Sequence, residues 1–196
     1  MAPPLPDWLH HRLTVSGPAE AVARFRAAAQ GTNAIPWHLD LDAEEARLLA
    51  PMASLGPVAR ALARELREVI AARHDQVLAR WAEPGACALD LHRLIPVPEA
   101  ILRLGERAPE AQAWLWAQWG TTQTLRRVVC HDRVDRRLRR IAQVAYDFLS
   151  ADWTPWRAIS TLRRDWPLLV FDIRPRYDAT EGRGEAGRAV AGRRGG

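Results

Sequence analysis

The chain has 196 residues, 48% of them hydrophobic and 26% charged, which excludes a disordered polymer and suffices for one domain with a proper core. No stretch approaches the roughly 18 consecutive apolar residues that a membrane-spanning helix needs. Net charge is +5, from 28 basic residues, all of them arginine, against 23 acidic ones, a balance that permits a polyanionic partner without requiring one.

Cys87 and Cys130 lie far apart in no ligand-like spacing, so a disulfide framework, a structural zinc site and an iron–sulfur cluster are not expected, nor is any other cofactor. Residues 1–7 show neither a basic n-region nor an apolar h-region, from which a cytoplasmic protein is expected.

The first element is a strand at 12–16, where Leu13 and Val15 share one face and Gly17-Pro18 ends the run. A helix should follow, capped by Ser16 or Gly17, with Glu20 near its positive end and Gly31 as its stop. Its core face is Ala21, Val22, Phe25 and Ala28/Ala29.

Residues 31–86 read as an inserted helical segment. Asp40 to Glu45 form a capped helix start, and a long helix should span 58–81 with Leu62, Leu66, Val69, Ile70, Val77 and Trp81 as an apolar stripe. Arg60, Arg64, Arg67, Glu68 and Asp75 fall on the opposite face. The segment should make a helical hairpin that packs on the sheet domain or on a partner.

The alternation at 87–95 predicts the second strand, closed by Pro96 and Pro98. A short helix is expected from Glu99, and another from near Pro109 through Trp114, Trp116 and Trp119 to Gly120. The most basic stretch is 125–140, its first half compatible with a strand and its second with an exposed turn. A strand at 141–149 carries Val144, Tyr146 and Phe148 on one face. Thr154 and Pro155 should start a helix that buries Trp156, Ile159 and Leu162. The last core strand is expected at 168–173, with flexible termini at 1–11 and 178–196.

The order strand, helix, strand, interlude, strand, helix, strand predicts an α+β fold. It is the ferredoxin-like split βαβ, a four-stranded antiparallel sheet with two helices on one face, spanning 12–177 as a single domain. Four blocks then resemble a known family: RLTVSG at 12–17, LHRLIPVP at 91–98, WAQWGT at 116–121, and YDFLSADWTPW at 146–156 followed by DWPLLVFDI. Together they look like the YubB ferredoxin-like family of bacterial, plasmid- and phage-borne proteins, over roughly 12–30 and 87–177. The resemblance implies the same fold and no particular activity. The chain departs from the family pattern at His92, Gln118, Thr122 and Gln123, and 31–86 lies outside the resemblance.

Three functional readings follow from the residues. The first is a non-enzymatic module binding an unknown protein partner, with Trp114, Trp116 and Trp119 as a candidate surface, although large aromatics are as well suited to a core. The second is nucleic-acid or phosphate contact through Arg126, Arg127, Arg133, Arg136, Arg137, Arg139 and Arg140. In an RNA-recognition arrangement Tyr146 and Phe148 would be the stacking aromatics, but the module's basic-glycine-aromatic signature is missing from 141–149. The third is a small hydrolase or transferase, in which Asp90 and His92 would point the same way from a strand as a proton-transfer pair. His38 with Asp40 and Asp42, and His131 with Asp132, are weaker groupings that lack the convergence of a metal site. The sequence has no GxxxxGK[ST] loop and no GxSxG elbow.

Overall fold

A computed structural model of the chain describes residues 6–51, 56–81, 85–133 and 141–176. In chain order the elements are β1 (Trp8–Pro18), α1 (Ala19–Ala29), α2 (Leu41–Leu49), α3 (Gly56–Trp81), α4 (Leu91–Leu94), α5 (Glu99–Leu102), α6 (Pro109–Gln118), β2 (Arg126–Arg133), β3 (Ile141–Ala151), α7 (Trp156–Asp165) and β4 (Val170–Pro175). The strands form one sheet in the order β2-β3-β1-β4, with every neighbouring pair antiparallel. That is the ferredoxin-like split βαβ sheet: β3 lies between β1 and β2, and β1 lies between β3 and β4.

The core sits on one face of this sheet, because strand alternation sends every second side chain there. Leu13 and Val15 of β1, Val144, Tyr146 and Phe148 of β3, and Phe171 and Ile173 of β4 are all buried in one cluster. Phe25 of α1 is its hub, edge-on to Tyr146, Trp166 and Phe171 at centroid distances of 6.4, 5.4 and 5.3 Å. Ala158, Ile159 and Leu162 of α7 complete the same cluster, so α1 and α7 cover the same face. Gly17 is needed where β1 passes the start of β4, since a Cβ there would lie 2.7 Å from the Leu168 carbonyl oxygen.

The expected strand at 87–95 is absent. Cys87 makes only an isolated bridge to Gly31, and Leu91–Leu94 is a single helical turn, α4. Asp90 explains the switch: its Oδ1 accepts from the His92 and Arg93 backbone N–H groups, so it acts as a helix N-cap. The second strand is instead the first part of the basic stretch, Arg126–Arg133, hairpinned to β3.

Other expectations shift more modestly. β1 begins at Trp8, within the segment expected to be a flexible terminus, and runs to Pro18, so Ser16 and Gly17 are strand residues and Pro18 stands at the N-cap position of α1 without a side-chain cap. α7 starts at Trp156 with Pro155 as N-cap and no side-chain cap, while Trp156 is 45% exposed rather than buried. β4 starts two residues later than expected, leaving Leu168 exposed. Residues 178–196 lie outside the described residues.

Thr154 does not cap α7 because its hydroxyl serves a buried histidine. His11 is fully buried; its Nδ1–H donates to the Leu9 carbonyl at 2.9 Å, and its Nε2 accepts from the Thr154 hydroxyl at 2.8 Å. Ser150, 3.3 Å from Nδ1, donates to the Trp153 carbonyl. Burial lowers the His11 pKa and favours the neutral ring, and the Leu9 carbonyl, which can only accept, fixes the proton on Nδ1. The network ties β1 to the β3–α7 connection.

In the inserted segment, Asp40 caps α2 by accepting from the Asp42 and Ala43 N–H groups, as the sequence indicates. α2 and α3 form a hairpin, cross-linked where Arg67 pairs with Asp42 at 2.8 Å and Glu45 at 2.6 Å. Arg67 therefore faces α2 rather than solvent. On α3 the buried residues are Ala59 and Ala63, with Leu66, Ile70 and Val77 half-buried, whereas Leu62 and Val69 of the expected stripe are exposed.

Candidate nucleic-acid interface

With both helices on one face, the other face of the sheet is presented by the outward residues of each strand. Along β1 these are Trp8, His10, Arg12, Thr14 and Ser16, because His11, Leu13 and Val15 point into the core. Register then fixes their neighbours. Arg12 lies opposite Asp147 on β3 and Arg174 on β4, Val129 of β2 pairs with Asp147, and His131 pairs with Ala145.

Asp147 is the centre of this face, its side chain only 15% exposed. The His131 Nε2–H donates to its Oδ2 at 2.8 Å, Arg176 approaches the same oxygen at 3.5 Å, and Arg12 lies 3.8 Å from Oδ1. Arg174 pairs with Asp172 at 2.9 Å and remains largely exposed. At the other end of the face the Arg126 guanidinium stacks on the Trp8 ring, 3.9 Å from its centroid. Among the described residues, four guanidiniums, those of Arg12, Arg126, Arg174 and Arg176, thus share the face with two carboxylates, those of Asp147 and Asp172.

The basic stretch meets this face along β2. Arg126 opens the strand opposite Leu149, and Arg127 has φ 49° at an irregularity between Arg126 and Val129 and is exposed. Arg133 ends the strand opposite Gln143. Arg136, Arg137, Arg139 and Arg140 lie outside the described residues.

Tyr146 and Phe148 are on the core face, each about 1% exposed, and offer no stacking surface. The tryptophans of α6 are dispersed. Trp119 is fully buried and donates its indole N–H to the Ile95 carbonyl at 3.1 Å; Trp114 is half-buried, edge-on to it at 6.2 Å; Trp116 alone is exposed.

Asp90 and His92 do not face each other as strand neighbours. The second Asp90 oxygen, Oδ2, accepts from the Thr32 and Asn33 N–H groups at 3.0 and 2.9 Å, so the buried carboxylate gathers four backbone donors. His92 Nδ1 accepts from the Val97 N–H at 3.2 Å, and burial lowers its pKa. Gly31 completes this arrangement, since a Cβ there would collide with Asp90 Oδ2. Cys87 donates its thiol proton to the Leu89 carbonyl at 3.3 Å, and burial pushes its pKa to about 11.

The loose His131–Asp132 grouping is replaced by His131–Asp147 across the hairpin. Among the described residues no group of three His, Cys, Asp or Glu side chains could hold a metal ion, and no helix is long and apolar enough to cross a membrane. Nothing in the local sequence pattern singles out Trp8, His10, Arg12, Asp147, Arg174 or Arg176 as members of one face. Continuing the β1 alternation back past Arg12 is the signal that would find the first three. No family model, curated protein or solved structure matches the chain.

Proposed function

We propose that the chain is a YubB-type ferredoxin-like binding module, cytoplasmic and non-enzymatic, whose open sheet face takes a single-stranded nucleic acid. One observation carries this reading: the sheet face that no described helix covers bears Arg12, Arg126, Arg174 and Arg176 against two carboxylates, with Trp8 beneath Arg126 at one end. Guanidiniums spaced across neighbouring strands suit a phosphate backbone, and Trp8 supplies a ring on which a base can stack once Arg126 swings to a phosphate. A flat sheet fits an unpaired strand better than the grooves of a duplex, which admit a helix or a two-stranded ribbon. The engagement of Asp90 and His92 in separate backbone hydrogen bonds supports a non-enzymatic role.

The test is fluorescence anisotropy with labelled single- and double-stranded DNA and RNA at two salt concentrations, alongside an Arg126→Ala/Arg174→Ala/Arg176→Ala variant. The expected result is preference for single strands, affinity that falls with salt, and a salt slope in the variant reduced by about two (roughly 0.7 for each phosphate no longer neutralised). Absence of binding at low salt, or a variant with unchanged slope, would overturn the reading and leave a protein as the partner.

A further inference from the structure

Helix α3 turns one apolar face toward α2 and the 35–40 and 103–108 segments, and among the described residues a second stripe stays exposed. Ala59, Ala63, Leu66, Ile70 and Val77 turn inward, while Val58 is 71% exposed, Leu62 43% and Val69 63%. The exposed set recurs at alternating spacings of four and three: Val58, Leu62, Glu65, Val69, Ala72, Gln76 and Ala79. That is the spacing of a heptad seam, sustained for three repeats along a 26-residue helix.

The residues flanking the seam carry opposite charges on its two sides. Glu68 precedes a seam position, Arg73 follows one, and the two are five residues apart. In a parallel, in-register pair of helices this offset places Glu68 of one copy beside Arg73 of the other, twice by symmetry. One heptad on, the sequence repeats the order with Asp75 and Arg80. Glu68 and Arg73 are exposed, and among the described residues neither makes an ion pair within its own chain. An antiparallel pair would instead set Glu68 and Asp75 against their own kind.

We infer that the exposed stripe of α3 is a homodimer seam, closed by a second copy of this chain in parallel register, with Glu68–Arg73 ion pairs on both flanks. The seam is weak by composition. Glu65 occupies a central position, where two copies bring like charges together, and Gln76 occupies another, where a paired amide fixes register at a cost in affinity. The dimer therefore forms and dissociates with concentration rather than being permanent.

Sedimentation equilibrium and light scattering on the full chain, from about 1 to 200 µM, should show a reversible monomer–dimer equilibrium in that range. Leu62→Glu/Val69→Glu should leave a monomer with unchanged far-UV circular dichroism, since both positions are exposed. Glu65→Leu should tighten the dimer at least tenfold. Glu68→Arg and Arg73→Glu should each weaken it, and the double exchange should restore it. A monomer at every concentration, a dimer indifferent to Leu62→Glu/Val69→Glu, or a double exchange that fails to restore association would each overturn the inference.

Discussion

Asp90 shows how one buried carboxylate determines local structure. Its two oxygens accept from the N–H groups of His92, Arg93, Thr32 and Asn33, which joins the exit of α1 to the start of α4. Losing an ordinary N-cap costs about 1 kcal/mol, but here Thr32 and Asn33 would also lose their acceptor, and charge-assisted bonds are the stronger kind. Asp90→Ala should therefore lower unfolding free energy by about 3 kcal/mol in urea titrations. A loss near that of a simple cap would refute the bridging role. Gly31→Ala should also destabilise, because its methyl would collide with Asp90 Oδ2. That penalty should shrink in the Asp90→Ala background, so a double-mutant cycle isolates the interaction.

The elements differ in how plainly the sequence announces them. α1 and β3 follow from periodicity, since each buries one face in the core, whereas α6 is marked by Pro109 at its start and Gly120 beyond its end. The 87–95 segment alternates like a strand, yet Asp90 ahead of Leu91 is also a cap, and its partners Thr32 and Asn33 are nearly sixty positions away. No local pattern reveals that competition. β2 gives the opposite difficulty: as an edge strand it needs only a half-covered inner face, so arginines and a histidine fill it and its apolar signal is thin. The candidate interface is legible in the sequence only as far as β2; its centre, Asp147 with Arg12 and His131, depends on strand register.

On α3, spacing alone does not say which apolar residues turn inward, because Ala59 and Ala63 are buried beside half-buried Leu66, Ile70 and Val77, while Leu62 and Val69 are exposed. Ala63→Asp should destabilise by more than about 2 kcal/mol, as a charge forced into a space with no room for it. Val58→Ser, in dilute protein, should change stability by less than about 0.5 kcal/mol. Chemical denaturation of both variants decides between the two faces, and equal effects would contradict the assignment.

For the whole molecule, buried His11 and half-buried His92 make stability fall on the acid side. His11 ties β1 to the β3–α7 connection, and His92 holds the chain leaving α4 through the Val97 N–H. Burial lowers both pKa values from the ordinary 6.5, so each ring is neutral in the fold and takes a proton more readily once unfolded. Above pH 6.5 neither state binds the extra proton and stability is flat with respect to these groups. As pH falls from 6.5 toward the lowered native values, the unfolded chain binds more protons, and each histidine removes up to about 1.4 kcal/mol per pH unit. Below the native values the loss levels off. Protonation of His11 also abolishes the Nε2 lone pair that accepts from Thr154, so the native ring cannot charge without breaking its link to the α7 connection. Urea midpoints should thus be constant from about pH 8 to 7 and decline steeply from about 6.5 downward. His11→Gln, whatever its starting stability, should show a shallower decline over the same window. An unchanged slope would assign the acid sensitivity to other groups.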